Sequence, residues 1–105
     1  MKELIRLVAK GVWYYSENDE AAFFDWLNKI PCIENLDGEV DLLYIEVNIK
    51  KLDSMALREI IAIFYRYGIE MKQLSVFKNN KRWKWFVEPN TYWFNKVFCG
   101  DNENL

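Results

Sequence analysis

Carboxylates come in two tight runs in the first half of the chain. In VWYYSENDE, residues 12–20, Trp13, Tyr14 and Tyr15 run straight into Glu17, Asp19 and Glu20. In ENLDGEVD, residues 34–41, Glu34, Asp37, Glu39 and Asp41 crowd onto or beside a loop. Closely spaced carboxylates can work as an acid and base pair, as in glycoside hydrolysis, or hold a cation. The first use needs a deep cleft, which a short chain rarely builds. The chain has no histidine, which removes the commonest acid–base residue and excludes Cys–His and Ser–His–Asp arrangements. It also lacks the glycine-rich phosphate loop, the dinucleotide fingerprint and the spacing of a calcium loop. No enzyme activity and no cofactor are expected. Two uses remain for the acidic runs: ordinary solvated turns and helix starts, where negative charge meets the positive end of a helix, or docking on a cationic surface.

A third stretch, KRWKWF at residues 81–86, alternates cations with rings, the composition that grips single-stranded nucleic acid with charges on phosphates and rings on bases. The whole-chain balance argues against that use. Net charge is −2 with a pI near 5.2, whereas nucleic-acid domains carry a strong positive excess. Residues 1–50 hold five Lys or Arg against ten Asp or Glu, and residues 51–105 hold nine against six, so the chain is acidic first and basic last. The rings of KRWKWF belong to a longer aromatic series ending at Phe98, and rings in that number read as core filling. Lys81, Arg82 and Lys84 are then expected outward as a solvated rim.

At 105 residues, 51% hydrophobic and 17% aromatic, the chain has the size of one domain, residues 1–105, able to bury roughly two-thirds of its unfolded surface. Cys32 and Cys99 stand alone, which suggests neither a disulfide framework nor a zinc site, but two buried thiols. No run reaches the ~18 apolar residues of a membrane span, and no secretory leader is recognisable at the start. A soluble, cytoplasmic protein is expected.

The elements that must position these residues follow from periodicity. Leu4, Ile5, Val8, Val12 and Tyr15 recur at helical spacing and predict a first helix, weakened by Gly11. A second helix begins in SENDEAAFF, capped by Ser16 with Asp19 or by Asn18, and Pro31 stops it. The cluster Asn35, Asp37 and Gly38 predicts a turn. Residues 42–45 are apolar on both faces, suiting an interior strand. The clearest helix is capped by Asp53 or Ser54, carries Leu57, Ile60, Ile61, Phe64 and Tyr67 on one face and ends at Gly68. IEMKQLSVF then predicts a second strand, completing a βαβ unit with parallel neighbours. Residues 81–98 read as two short helices, or as a strand at Trp83–Val87, and the polar tail 100–105 is expected to fray. The fold class is thus α/β or α+β: two N-terminal helices, a βαβ unit with a partly parallel sheet, and short C-terminal helices.

The series DEAAFFDWLNKIPCIE, ALREIIAIFYRYGIEMKQLSVF and WFVEPNTYWFNKVF, spanning about Asp19 to Phe98, resembles small bacterial immunity proteins, especially those encoded with contact-dependent growth-inhibition toxins. The resemblance implies a cytoplasmic inhibitor that binds and neutralises a toxin domain, often a nuclease. An acidic surface with abundant rings suits a basic substrate-binding cleft, because carboxylates stand in for phosphates and aromatic anchors supply affinity. The expected partner surface is Glu34, Asp37, Glu39 and Asp41, with Tyr14, Tyr15, Glu17 and Asp19 as a second patch. The alternative is a regulatory nucleic-acid-binding module using Lys78, Lys81, Arg82 and Lys84 with Trp83 and Trp85. A plain structural subunit that dimerises is a third class.

Overall fold

The computed structural model describes residues 3–79 and 81–99; the expected fraying of residues 100–105 and the side chain of Lys81 lie outside the described residues. The elements are β1 (Leu4–Lys10), α1 (Glu17–Asn28), β2 (Ile33–Glu39), β3 (Leu42–Asn48) and α2 (Ser54–Tyr67). A 3-10 turn at Ile49–Lys51 joins β3 to α2, and after α2 come 3-10 segments at Lys72–Phe77 and Lys81–Val87 and a π-helical turn at Asn95–Cys99. The three strands form one antiparallel sheet in the order β1-β3-β2. The domain is therefore α+β, and the expected βαβ unit with parallel neighbours is not found among the described residues.

Both helices form as their caps dictate. Asp53 accepts a hydrogen bond from the Ala56 amide at 2.8 Å, satisfying one of the orphan donors at the start of α2. Gly68 leaves the helix at φ 68, with Ile69 N–H donating to Phe64 C=O at 2.9 Å and Gly68 N–H to Tyr65 C=O at 3.4 Å, the paired closure of a Schellman end. Leu57, Ile60, Ile61 and Phe64 are buried. Ser16 caps α1 by accepting from the Asp19 amide at 3.1 Å, while the Asp19 carboxylate reaches back to the Tyr15 amide at 2.9 Å. Phe23 and Leu27 turn inward.

Four sequence expectations are corrected. The first predicted helix is β1. LIRLVAK carries an alternation, Ile5, Leu7 and Ala9, as well as a helical spacing, and the alternation wins because β3 offers a complete ladder from Leu4–Asn48 to Lys10–Leu42. The predicted turn at Asp37 and Gly38 lies inside β2, and the chain turns instead at Val40–Asp41. Turning at Asp37–Gly38 would carry Glu39 and Asp41 onto the face of Leu43, Ile45 and Val47, all buried; the observed register sets Leu36 opposite Ile45. A bulge at Glu34 brings Ile33 opposite Val47. The third correction is IEMKQLSVF, which holds the 3-10 segment Lys72–Phe77 and no strand: Leu74 and Phe77, three residues apart, are both buried, as a three-residue turn allows. The fourth is Cys99, which is exposed, whereas Cys32 is buried.

Leu7, Leu43, Ile45 and Val47 from the sheet join Phe23, Leu27, Leu57, Ile61 and Phe64 from the helices in one core, extended by Trp83, Phe86 and Trp93. The outer edge of β1 is closed by a side chain. Gln73 accepts from Val8 N–H and donates to Val8 C=O, both at 2.8 Å, so its amide stands where another strand's peptide group would pair. No helix among the described residues is long and apolar enough to cross a membrane.

Candidate functional site: an acidic, aromatic end of the sheet

One end of the sheet gathers most of the acidic and aromatic residues singled out above. The loop from β1 to α1 is tied to the β2–β3 turn by a hydrogen bond from Gly11 N–H to Asp41 C=O at 2.7 Å. Gly11 makes the corner at φ 60, which glycine adopts without strain. From there the chain alternates: Val12 and Tyr14 are half-buried, while Trp13 and Tyr15 stand out at 72% and 86% exposure. Val40 at the tip of the opposite turn is fully exposed, in a left-handed conformation at φ 55 that a β-branched residue rarely takes. Glu17 and Glu20 at the start of α1, and Glu39 and Asp41 on either side of Val40, are exposed as well.

Tyr14 anchors the loop. Its ring lies 5.5 Å from Phe23 and 6.4 Å from both Phe24 and Tyr67. Burial, and next the negative charge of Glu20, push its hydroxyl above the ordinary tyrosine range. Between loop, turn and α1 lies a cleft of about 230 Å3 that Tyr14, Glu20 and Asp41 help to line. Larger clefts of about 510 and 530 Å3 sit on the flanks of α2. Their charged groups are mixed in sign or engaged: Lys96 lies 5.8 Å over the Tyr65 ring, and Glu59 accepts from Trp26 Nε1 at 2.7 Å.

The expected partner residues divide. Tyr14 and Asp41 line the cleft at this end, while Tyr15 and Glu17 on the loop into α1 and Glu39 at the end of β2 are exposed. Asp37 lies on the outer sheet face opposite Tyr44, further along β2. Glu34 is five residues from Glu39, ~16 Å at strand rise, and serves the fold: its carboxylate accepts from Asn48 Nδ2 at 3.1 Å and lies 3.5 Å from Lys51 Nζ. Asn48 is only 4% exposed, so this carboxylate satisfies a buried amide. Asp19 is likewise engaged, by the Tyr15 amide and by the Tyr67 hydroxyl at 3.1 Å. Trp13, Glu20 and Val40 were not among the expected contact residues; period-two alternation across residues 12–15 would have signalled Trp13, had that segment been read as extended.

KRWKWF is largely consumed by the core. Trp83 is 1% exposed and donates from Nε1 to Phe77 C=O at 2.9 Å. Phe86 is buried, and half-buried Trp85 donates to Ser54 Oγ at 3.2 Å with the Arg58 guanidinium 3.9 Å above its ring. Arg82 lies 4.8 Å over Trp83 and donates to Leu52 C=O at 3.2 Å. Trp83 is thus closed to base stacking, and one face of Trp85 is taken by Arg58. Among the described residues no group of three or more Cys, Asp or Glu is placed to hold a metal ion. Comparison with known proteins finds no matching family model, no matching curated protein and no matching solved structure.

Proposed function

We propose that the protein is an immunity-type inhibitor that binds and neutralises a cognate antibacterial toxin domain, a nuclease being the best fit, inside the bacterium that makes it. The observation that carries this reading is the exposure of Trp13, Tyr15 and Val40, together with Glu17, Glu20, Glu39 and Asp41, along a loop, helix start and turn that the Gly11–Asp41 hydrogen bond ties together. Large rings left in water next to acidic groups are costly for a monomer and are the composition of an interface centre with a charged rim. The carboxylates would steer a basic partner into contact and occupy positions that substrate phosphates take, and the rings would hold it once docked. The resemblance to immunity proteins supports the same direction.

The test is capture of a partner by the tagged protein from its producer at low and high salt, followed by expression of that partner alone and with the inhibitor. The expected result is a stoichiometric basic domain that stops growth by itself and is tolerated when co-expressed. W13A–Y15A should abolish the protection while leaving the urea midpoint unchanged, because both rings are in solvent. Capture of RNA alone, lost at high salt, would refute the inhibitor reading in favour of a nucleic-acid module.

A further inference from the structure

The cleft beneath the acidic end is shaped for one particular kind of side chain. Its inner walls are apolar: Ala9 and Leu43 are buried, and Val12 and Phe24 are half-buried. Its mouth carries Glu20 and Asp41, both exposed, beside the Tyr14 ring. Among the described residues neither carboxylate enters an ion pair or a side-chain hydrogen bond. Lys10, between the lining residues Ala9 and Gly11 in sequence, follows Ala9 on β1 and so faces the other side of the sheet. At about 230 Å3 the cleft falls below the ~300–1,000 Å3 of small-molecule sites, which sizes it for a single side chain.

An apolar sleeve that ends in two uncompensated carboxylates matches a long methylene stem carrying a cation. Arginine fits better than lysine, because its planar guanidinium offers several N–H donors to carboxylates while its face lies against an aromatic ring. We propose that this cleft is a socket for one arginine side chain presented by the protein partner. The proposal rests on the docking reading above and deepens it: the exposed rings hold the partner, and the socket selects a basic residue at one defined place.

The test uses N-acetyl-arginine methylamide as the probe, titrated into 15N-labelled protein and followed by amide chemical shifts, with the neutral citrulline counterpart as control. Saturable shifts confined to residues 9–14, 20–24 and 38–43 are expected, with at least a tenfold weaker response to the citrulline compound. E20Q–D41N should lose most of the arginine response without other spectral change, since both side chains are exposed. Equal responses to the two compounds, shifts elsewhere only, or none at the cleft would overturn the socket. This titration needs no partner, so it can fail while the inhibitor reading stands. A captured partner held as tightly by E20Q–D41N as by the original chain, yet lost with W13A–Y15A, would likewise remove the socket alone.

Discussion

Replacing Trp83 tests whether KRWKWF serves the core, and the cost can be worked out from its surroundings. The indole is 1% exposed, with its N–H bonded to Phe77 C=O at 2.9 Å. A Trp ring hides ~150–250 Å2, which at ~25 cal/mol per Å2 is worth about 4–6 kcal/mol as an upper bound. Measured truncations of buried aromatics fall at about 3–5 kcal/mol, and an orphaned carbonyl adds about 1–3 kcal/mol where water cannot reach it. Trp83→Ala should therefore lose at least ~4 kcal/mol, a large part of the ~5–15 kcal/mol that holds a domain together. Trp83→Phe keeps a ring and loses the hydrogen bond, so ~1–3 kcal/mol is expected, a fall in Tm of roughly 5–20 °C. Urea unfolding at 25 °C measures both. Lys84→Gln, at an exposed position of the same segment, should stay within ~0.5 kcal/mol. A Trp83→Phe variant as stable as the original chain, or a Lys84→Gln variant as damaged as Trp83→Phe, would refute the reasoning.

Val40→Gly should raise stability by ~0.5–1 kcal/mol, because a left-handed L-residue costs ~1–2 kcal/mol and glycine returns only part of that as chain entropy; a lower urea midpoint would contradict the strain at φ 55. Gln73→Ala removes both 2.8 Å bonds to Val8, so it should cost ~1–3 kcal/mol and speed hydrogen exchange at the Val8 amide; unchanged protection there would show that Gln73 does not close the edge. Burial, with Asp53 next, lifts the Cys32 thiol from 9.0 to about 11. The folded state thus disfavours the thiolate, and this contribution to stability is complete below about pH 9 and lost as pH rises towards about 11. The urea midpoint should fall over that window more steeply than in Cys32→Ala, and parallel profiles would refute the assignment. Tyrosine ionisation is common to both proteins and cancels in the comparison.

How much of this was readable depended on whether a residue's partners lie nearby in the chain. The acidic first half was plain from composition, yet composition could not separate Glu34, bound to buried Asn48, or Asp19, held by Tyr15 and Tyr67, from Glu39 and Asp41 at the open end. Tyr14 and Tyr15 were expected together on the partner surface, but the loop's alternation turns Val12 and Tyr14 inward and leaves Trp13 and Tyr15 in solvent. The packing of Trp83 and Phe86 was anticipated, because a chain with so many rings must bury most of them. Glu20 and Asp41 are 21 positions apart in the sequence, and only folding places both at one cleft.

The sequence by itself determined α1 and α2. Ser16 and Asp53 cap amides three residues ahead, Gly68 releases the chain, and the apolar stripe repeats every three or four residues, so every deciding interaction is local. Tertiary structure alone decided β1, the position of the β2–β3 turn and the fate of residues 69–77. LIRLVAK satisfies two periodicities, and Asp37–Gly38 prefers a turn that the register of Leu36 with Ile45 forbids. β1 draws its hydrogen bonds from β3, far away in sequence, and in the β2–β3 hairpin the burial of Leu43, Ile45 and Val47 outweighed local turn preference.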